Sequence, residues 1–195
     1  MARPSVKAER TEEILVAFEH CVALYGVEGA TLERLASQSG LQRSLVRHYM
    51  GNRNDLIIAL VNRFLTQSSV TFGELFNYLE SLNDDQALTM IEMLFDTSYM
   101  NTTQTAVASA LIIYSGSHLD IANLLRIWVQ DIENGIADVL KKAYENEPND
   151  NLQDVAAGVL GVYFNVDSLE VLGDMGKFRA RSKRSAVRLI KTLSQ

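Results

Sequence analysis

"TLERLASQSGLQRSLVRHYMGNRNDLI", residues 31–57, decides how the chain is read. Leu32, Leu35 and Ala36 recur at helical spacing after Thr31, a residue type that caps helices, and Gly40 then interrupts the pattern. A second short helix is predicted from about Gln42 to Tyr49, and Asn52 or Asn54 can cap a longer one after it. Two short helices joined through a Gly-containing turn, resting on an amphipathic first helix, make a helix-turn-helix, whose second helix can enter a major groove. That second helix carries Gln42, Arg43, Ser44 and Arg47 on positions facing away from an apolar core. Arg can bond guanine O6 and N7 bidentately and Gln adenine N6 and N7, so these four are the candidate base contacts. Thr31, His48, Tyr49 and Arg53, at the edges of the unit, are the candidate phosphate contacts. Leu45 and Val46 are apolar, so at least one is expected to face the core. A helical hairpin with a merely polar outer face has the same spacing.

Outward from this stretch, apolar residues return every three or four positions almost everywhere, which predicts an all-α fold. The first helix is expected from about Val6 to Tyr25, with Ile14, Phe18, Cys21 and Tyr25 on its buried stripe and Gly26 and Gly29 ending it. The fourth is expected to bury Ile57, Leu60, Phe64, Thr71, Leu75 and Leu79 and to join two domains, residues 1–55 and 56–195. After the turn-rich "SLNDD" at 81–85, helices are expected at about 84–100, 102–117, 119–145, 151–172 and 178–194. The 119–145 helix has the clearest stripe: Ile121, Leu125, Trp128, Ile132, Ile136 and Val139.

Charge separates these segments. Residues 1–65 hold 8 basic and 7 acidic groups, residues 66–176 hold 3 and 17, and residues 177–195 hold 7 and none. The net charge of −6 thus conceals two ends able to present a basic surface to DNA. Arg3, Lys7 and Arg10 can track phosphates or form a non-contacting tail. The basic C-terminal segment puts Phe178, Ser182, Ala186, Leu189 and Leu193 on one helical face, which predicts a packed helix whose cations offset the acidic middle.

With 47% hydrophobic and 22% charged residues and only two prolines, the composition is that of a core-forming chain. No run reaches the roughly 18 apolar residues of a membrane span, and the first residues lack the apolar region of a secretory signal. A cytoplasmic location without membrane association is expected. The single Cys21 is read as a packing residue rather than a redox thiol. No nucleophile elbow or phosphate-cradling Gly loop is found, and His20, His48 and His118 have no Cys or His at metal-ligand spacing. The sequence therefore argues against an enzyme and calls for no cofactor or metal, and a helical adaptor binding only protein would leave Arg43 and Arg47 without a purpose.

Residues 31–60 resemble the TetR family of bacterial transcriptional repressors. In that family a Thr opens the second helix, a Leu-Ala or Ile-Ala pair and a Gly follow, and the recognition helix ends in "YHYF" before a Ser-Lys-x-x-Leu start to the fourth helix. The matching residues are Thr31, Leu35-Ala36, Gly40, "RHYM" at Arg47–Met50, then Asn52-Arg53 and Leu56. Three departures stand out: Arg47 for an aromatic, Met50 for Phe, and Gln42 where a small capping residue is common. The resemblance implies a homodimer on a palindromic double-stranded operator, its recognition helices about 34–36 Å apart. It also implies a ligand-binding and dimerising remainder, with the last two long helices forming the dimer contact. The small residues Ala157, Gly158 and Gly161, with Ala186 and Leu189, suit such a close crossing. For a small-molecule effector the sequence offers Phe72, Met90, Met93, Tyr99, Tyr114, His118, Trp128 and Tyr163, an apolar and aromatic set with a few polar tips.

Overall fold

The computed structural model describes residues 6–83 and 85–193. Among them are α-helices α1 (Val6–Gly29), α2 (Leu32–Ser39), α3 (Arg43–Met50), α4 (Arg53–Glu80), α5 (Gln86–Leu94), α6 (Thr102–Ser115), α7 (Leu119–Ala143), α8 (Asn149–Leu169) and α9 (Gly176–Ile190), and no strand. The all-α expectation holds. Arg3 lies outside the described residues.

Two compact units form. The first takes the chain up to Gln67 together with Thr103–Asn123; the second takes Ser68–Thr102 and Leu124 onward. Both long helices α4 and α7 therefore divide their residues between the units.

In the first unit the core is Ile14, Phe18, Cys21, Val22, Leu35, Val46, Leu56, Ile57, Leu60, Val61 and Phe64. Tyr25 departs from the expected stripe and is exposed. Its ring instead lies under the Arg34 guanidinium, 4.4 Å from the centroid, while Arg34 Nη1 donates to Gly29 O at 2.6 Å. Packing against a cation suits an aromatic face that also meets water. Burial pushes the Cys21 thiol up from its ordinary value, so the side chain behaves as a small apolar one. A polar junction crosses this core: Glu19, itself buried on α1, accepts from Arg63 Nε of α4 at 2.9 Å and from Gln104 Nε2 of α6 at 2.5 Å. Gln104 also donates to Gln67 Oε1 at 2.6 Å, and Arg63 pairs with Glu12.

The second unit buries Leu79, Met90, Ile91, Leu94, Phe95, Leu125, Trp128, Ile132, Ile136, Val159, Leu160, Ala186 and Ile190. On α4 Thr71 is exposed, contrary to expectation, and Phe72, Leu75 and Phe76 carry the inward side down to Leu79. The helix expected over 84–100 is two pieces. Asp85 caps α5, accepting from Leu88 N at 3.0 Å, and after Phe95 a short 3-10 turn (Thr97–Tyr99) follows, with Asp96 accepting from Ser98 N at 2.8 Å. A carboxylate bonded to the backbone two residues on favours a turn over helix continuation.

α8 and α9 pack as a hairpin. At Gly158 an added Cβ would meet Leu189 Cδ1 at 3.1 Å, whereas nothing lies within 4 Å of one at Gly161. α9 buries Ala186 and the following Leu193 as expected and half-buries Ser182 and Leu189, but it also buries Arg179 and Ile190 and leaves Phe178 at the surface. Arg179 is held there through Nη2, which donates to Asp167 Oδ1 at 2.8 Å and to Glu170 Oε2 at 3.3 Å, while its Nε and Nη1 are buried with no hydrogen-bond partner among the described residues.

Candidate nucleic-acid interface

The α2–α3 pair is built by local signals. Thr31 caps α2, its Oγ1 accepting from Arg34 N at 3.2 Å. Gly40 ends α2 in the left-handed region at φ 68°, ψ 9°, a conformation in which a Cβ would crowd the backbone, and the chain turns within two residues into α3. Gln42 is the N-cap residue of α3, extended at φ −69°, ψ 143°, and its amide makes no capping bond. Its side chain thus stays available and exposed. At the other end Asn52 and Asp55 cap α4 reciprocally. Asn52 Oδ1 accepts from Asn54 N at 2.8 Å and from Asp55 N at 3.1 Å, while Asn52 N donates to Asp55 Oδ2 at 2.9 Å.

α3 is held by two of its eight residues, the fully buried Val46 and the buried Met50. They are four apart, so they fix one face of the helix to the core. Arg43, Ser44, Arg47 and His48 are exposed, and Leu45 is exposed with them. Val46 is thus the core-facing member of the Leu45-Val46 pair, and Met50, which stands where the family has Phe, is buried on the same face. The outward face is cationic and short-polar, with enough rigidity behind it to present side chains at fixed spacing.

Two arginines are already engaged. Arg43 Nη1 pairs with Glu33 Oε1 of α2 at 3.0 Å, both side chains largely exposed. Arg53 Nη2 donates to Val27 O at 2.7 Å and to Glu28 Oε2 at 3.1 Å, tying the end of α1 to the start of α4. Sequence spacing cannot reveal this second duty of Arg53, because its partners lie 25 and 26 residues earlier. Tyr49 is half-buried with the His48 ring at its edge, centroids 5.2 Å apart.

The residues offered for an effector divide between the units. In the first, Tyr114 and His118 stack at 3.8 Å, and His118 Nδ1 lies 2.9 Å from Tyr114 O. In the second, Tyr163 meets Phe72, Phe95 and Phe164 at centroid distances of 6.3, 6.2 and 5.8 Å. Trp128 stacks on Phe164 at 5.3 Å, and its Nε1 donates to Ser68 Oγ at 2.7 Å. Burial first, then the charge of Asp167 and a hydrogen bond to it, push the Tyr163 phenol well above the ordinary tyrosine range. Met93 is half-buried on α5, Met90 is core, and Tyr99 is exposed. Phe95, Phe164, Ser68 and Arg179 belong to this aromatic and polar group without having been singled out in the sequence. Of the residues expected to form a dimer contact, Ala186 and Gly158 are covered inside the α8–α9 hairpin, Leu189 is half-buried against Gly158, and Ala157 and Gly161 face outward.

No protein-family profile matches the chain. It is 40% identical over 55 residues to the HTH-type transcriptional repressor AcnR of Corynebacterium jeikeium, a match spanning 28% of this chain and 29% of that protein. With the HTH-type transcriptional regulator BetI of Stenotrophomonas maltophilia it shares 23% identity over 189 residues, covering 94% of this chain and 92% of the other. Among solved structures, a TetR-family transcriptional regulator of Cytophaga hutchinsonii superposes with a TM-score of 0.76 at 12% identity, over 99% of this chain and 98% of that one.

Proposed function

From the premise that this chain has the fold of the TetR-family transcriptional regulators, we propose that it is a ligand-responsive regulator, acting as a cytoplasmic repressor. It reads a palindromic operator as a homodimer and is released by a small, largely apolar effector. The observation that carries the reading is the face of α3: Val46 and Met50 fix the helix from behind, and Gln42, Arg43, Ser44 and Arg47 are presented in front. These four read base edges, while Thr31, His48, Tyr49 and Arg53 meet phosphates. DNA reading resides in residues 1–55, and residues 56–195 bind ligand and dimerise.

The dimer forms around the outward small residues Ala157 and Gly161 of α8, which let a second helix approach closely. The effector is received by the aromatic group around Tyr163 and Trp128. α4 contributes residues to both units, so a ligand that prefers one position of its second part biases its first. Such coupling is typically about 1–3 kcal/mol, and DNA weakens effector binding by the same factor. A gel-shift against DNA selected by the full chain from a random pool tests the first step. Recovery of a palindrome supports the reading, and recovery of no enriched sequence sinks it. Operator affinity with and without a compound found by thermal-shift screening tests the second.

A further inference from the structure

Neither base reading nor packing uses all of the polar group behind Tyr163. Among the described residues, the buried side-chain nitrogens and oxygens with no hydrogen-bond partner are Gln86 Oε1 and two atoms of a single residue, Nε and Nη1 of Arg179. Arg179 is 4% exposed and stands in the first turn of α9, which packs against α8 and α5. A guanidinium does not deprotonate, so these donors cannot be silenced by a change of charge state. Leaving them bare inside a fold is costly, and they call for an acceptor from outside the chain.

The acceptors nearby are already committed. Asp167 and Glu170 both meet Nη2, at 2.8 and 3.3 Å, and Asp167 also accepts from the Tyr163 phenol. Through Asp167 the guanidinium is joined to Tyr163, whose ring meets Phe72, Phe95 and Phe164. The idle donors thus stand at the polar end of the aromatic group. Tyr163, Phe164 and Phe72 are half-buried rather than sealed, so a small molecule enters by parting rings and not by opening the α8–α9 hairpin.

Charge selects the occupant. One guanidinium already faces two carboxylates, so a further anion would enter surroundings that are net negative. A cation would meet N–H groups that it cannot bond. An uncharged acceptor oxygen on an apolar body satisfies both conditions: the carbonyl of a ketone, ester, lactone or amide.

Resting on the reading of this aromatic group as the effector site, we infer that the effector carries an uncharged carbonyl oxygen and that Arg179 selects it through Nε or Nη1. The test measures binding to the full chain by calorimetry. It uses matched trios of one-ring compounds that differ only in the tail: a methyl ketone, its isopropenyl hydrocarbon counterpart and the corresponding carboxylate. Trios whose binding is lost in Tyr163→Ala are scored, being those held at the aromatic group. The ketone is expected to bind about 10- to 150-fold tighter than the hydrocarbon, as a hydrogen bond to a charged group provides, and tighter than the carboxylate. Arg179→Lys keeps a cation beside Asp167 and is expected to erase the ketone's advantage while hydrocarbon affinity stays the same. In the wild-type chain, nitrogen-15 spectra of the arginine side-chain N–H groups are expected to show one residue's resonances moving with the ketone and not with the hydrocarbon. That measurement keeps the inference falsifiable if the lysine variant does not fold. Equal ketone and hydrocarbon affinities overturn the inference and leave the donors to water, with the effector reading intact. So does a carboxylate that binds tightest. If no compound's binding depends on Tyr163, the effector site itself is misplaced and the inference falls with it.

Discussion

On the proposed reading, DNA competes with Glu33 for Arg43. In the free protein its Nη1 pairs with Glu33 Oε1 at 3.0 Å, with 54% and 76% of the two side chains exposed. A pair so exposed is screened and contributes about 0–1 kcal/mol. A bidentate guanine contact discriminates by about 1–3 kcal/mol, so the proposed base contact is expected to win the exchange and to lose part of its value to it. Glu33→Gln is therefore expected to tighten operator binding by up to about fivefold, as the guanidinium no longer has to be released. Arg43→Ala is expected to weaken it by about 5- to 150-fold and to relax preference at one base position. The assay is anisotropy on the selected operator with wild type, both single variants and the double variant at one salt concentration. In the Arg43→Ala background Glu33→Gln should have little left to relieve, so the two effects should not add. Weaker binding by Glu33→Gln would refute the reasoning, because it would make Glu33 a support that aims Arg43 rather than a rival. Equal gains in both backgrounds would show Glu33 acting on DNA directly through its own charge.

Asn52→Ala removes the acceptor of two backbone donors at the start of α4 and is expected to cost about 1 kcal/mol, read as a lower urea midpoint at unchanged m-value; an unmoved midpoint would leave the cap without weight. Arg179→Met strands Asp167 as a buried charge and is expected to cost about 3–5 kcal/mol, and Asp167→Asn in addition should restore part of it, whereas further loss would contradict the pairing. A Cβ at Gly161 meets nothing within 4 Å, so Gly161→Leu is expected to fold and to sediment as monomer, while at Gly158 a Cβ already lies 3.1 Å from Leu189 Cδ1 and the bulkier Leu is expected to destabilise the fold itself; an unchanged dimer in the first variant would move the interface. Cys21, buried and with its thiol pushed up, is expected to resist an aromatic disulfide reagent at pH 8 until denaturant is added, and rapid reaction in the native protein would contradict its burial.

What the sequence disclosed depended on range. The stripe Ile121, Leu125, Trp128, Ile132, Ile136 and Val139 of α7 is buried throughout, and the Thr31, Gly40 and Asn52 signals bound the elements they suggested, because each of these is local. The break after Phe95 was missed. Periodicity there continues across the boundary, and only Asp96 folding onto the Ser98 amide reveals the turn. The Glu19–Gln104 bond joins residues 85 apart, and the burial of Arg179 depends on Asp167; polar partners at such distances leave no trace in a hydrophobic pattern. For the same reason the outward face of α3 was legible, being the complement of an apolar stripe, while the engagement of Arg43 and Arg53 was not.

The chain contains one tryptophan, and it is placed where an effector is proposed to enter. Trp128 is 9% exposed, stacked on Phe164 and bonded through Nε1 to Ser68. Its emission is therefore a label-free optical gauge of that one neighbourhood. Anything that parts the indole from Phe164 or breaks the Ser68 bond changes its colour or quantum yield, with no second indole to dilute the change. Compounds can be screened in a cuvette before any operator is known, and a chromophoric ligand that quenches Trp128 reports by energy transfer how near it has come.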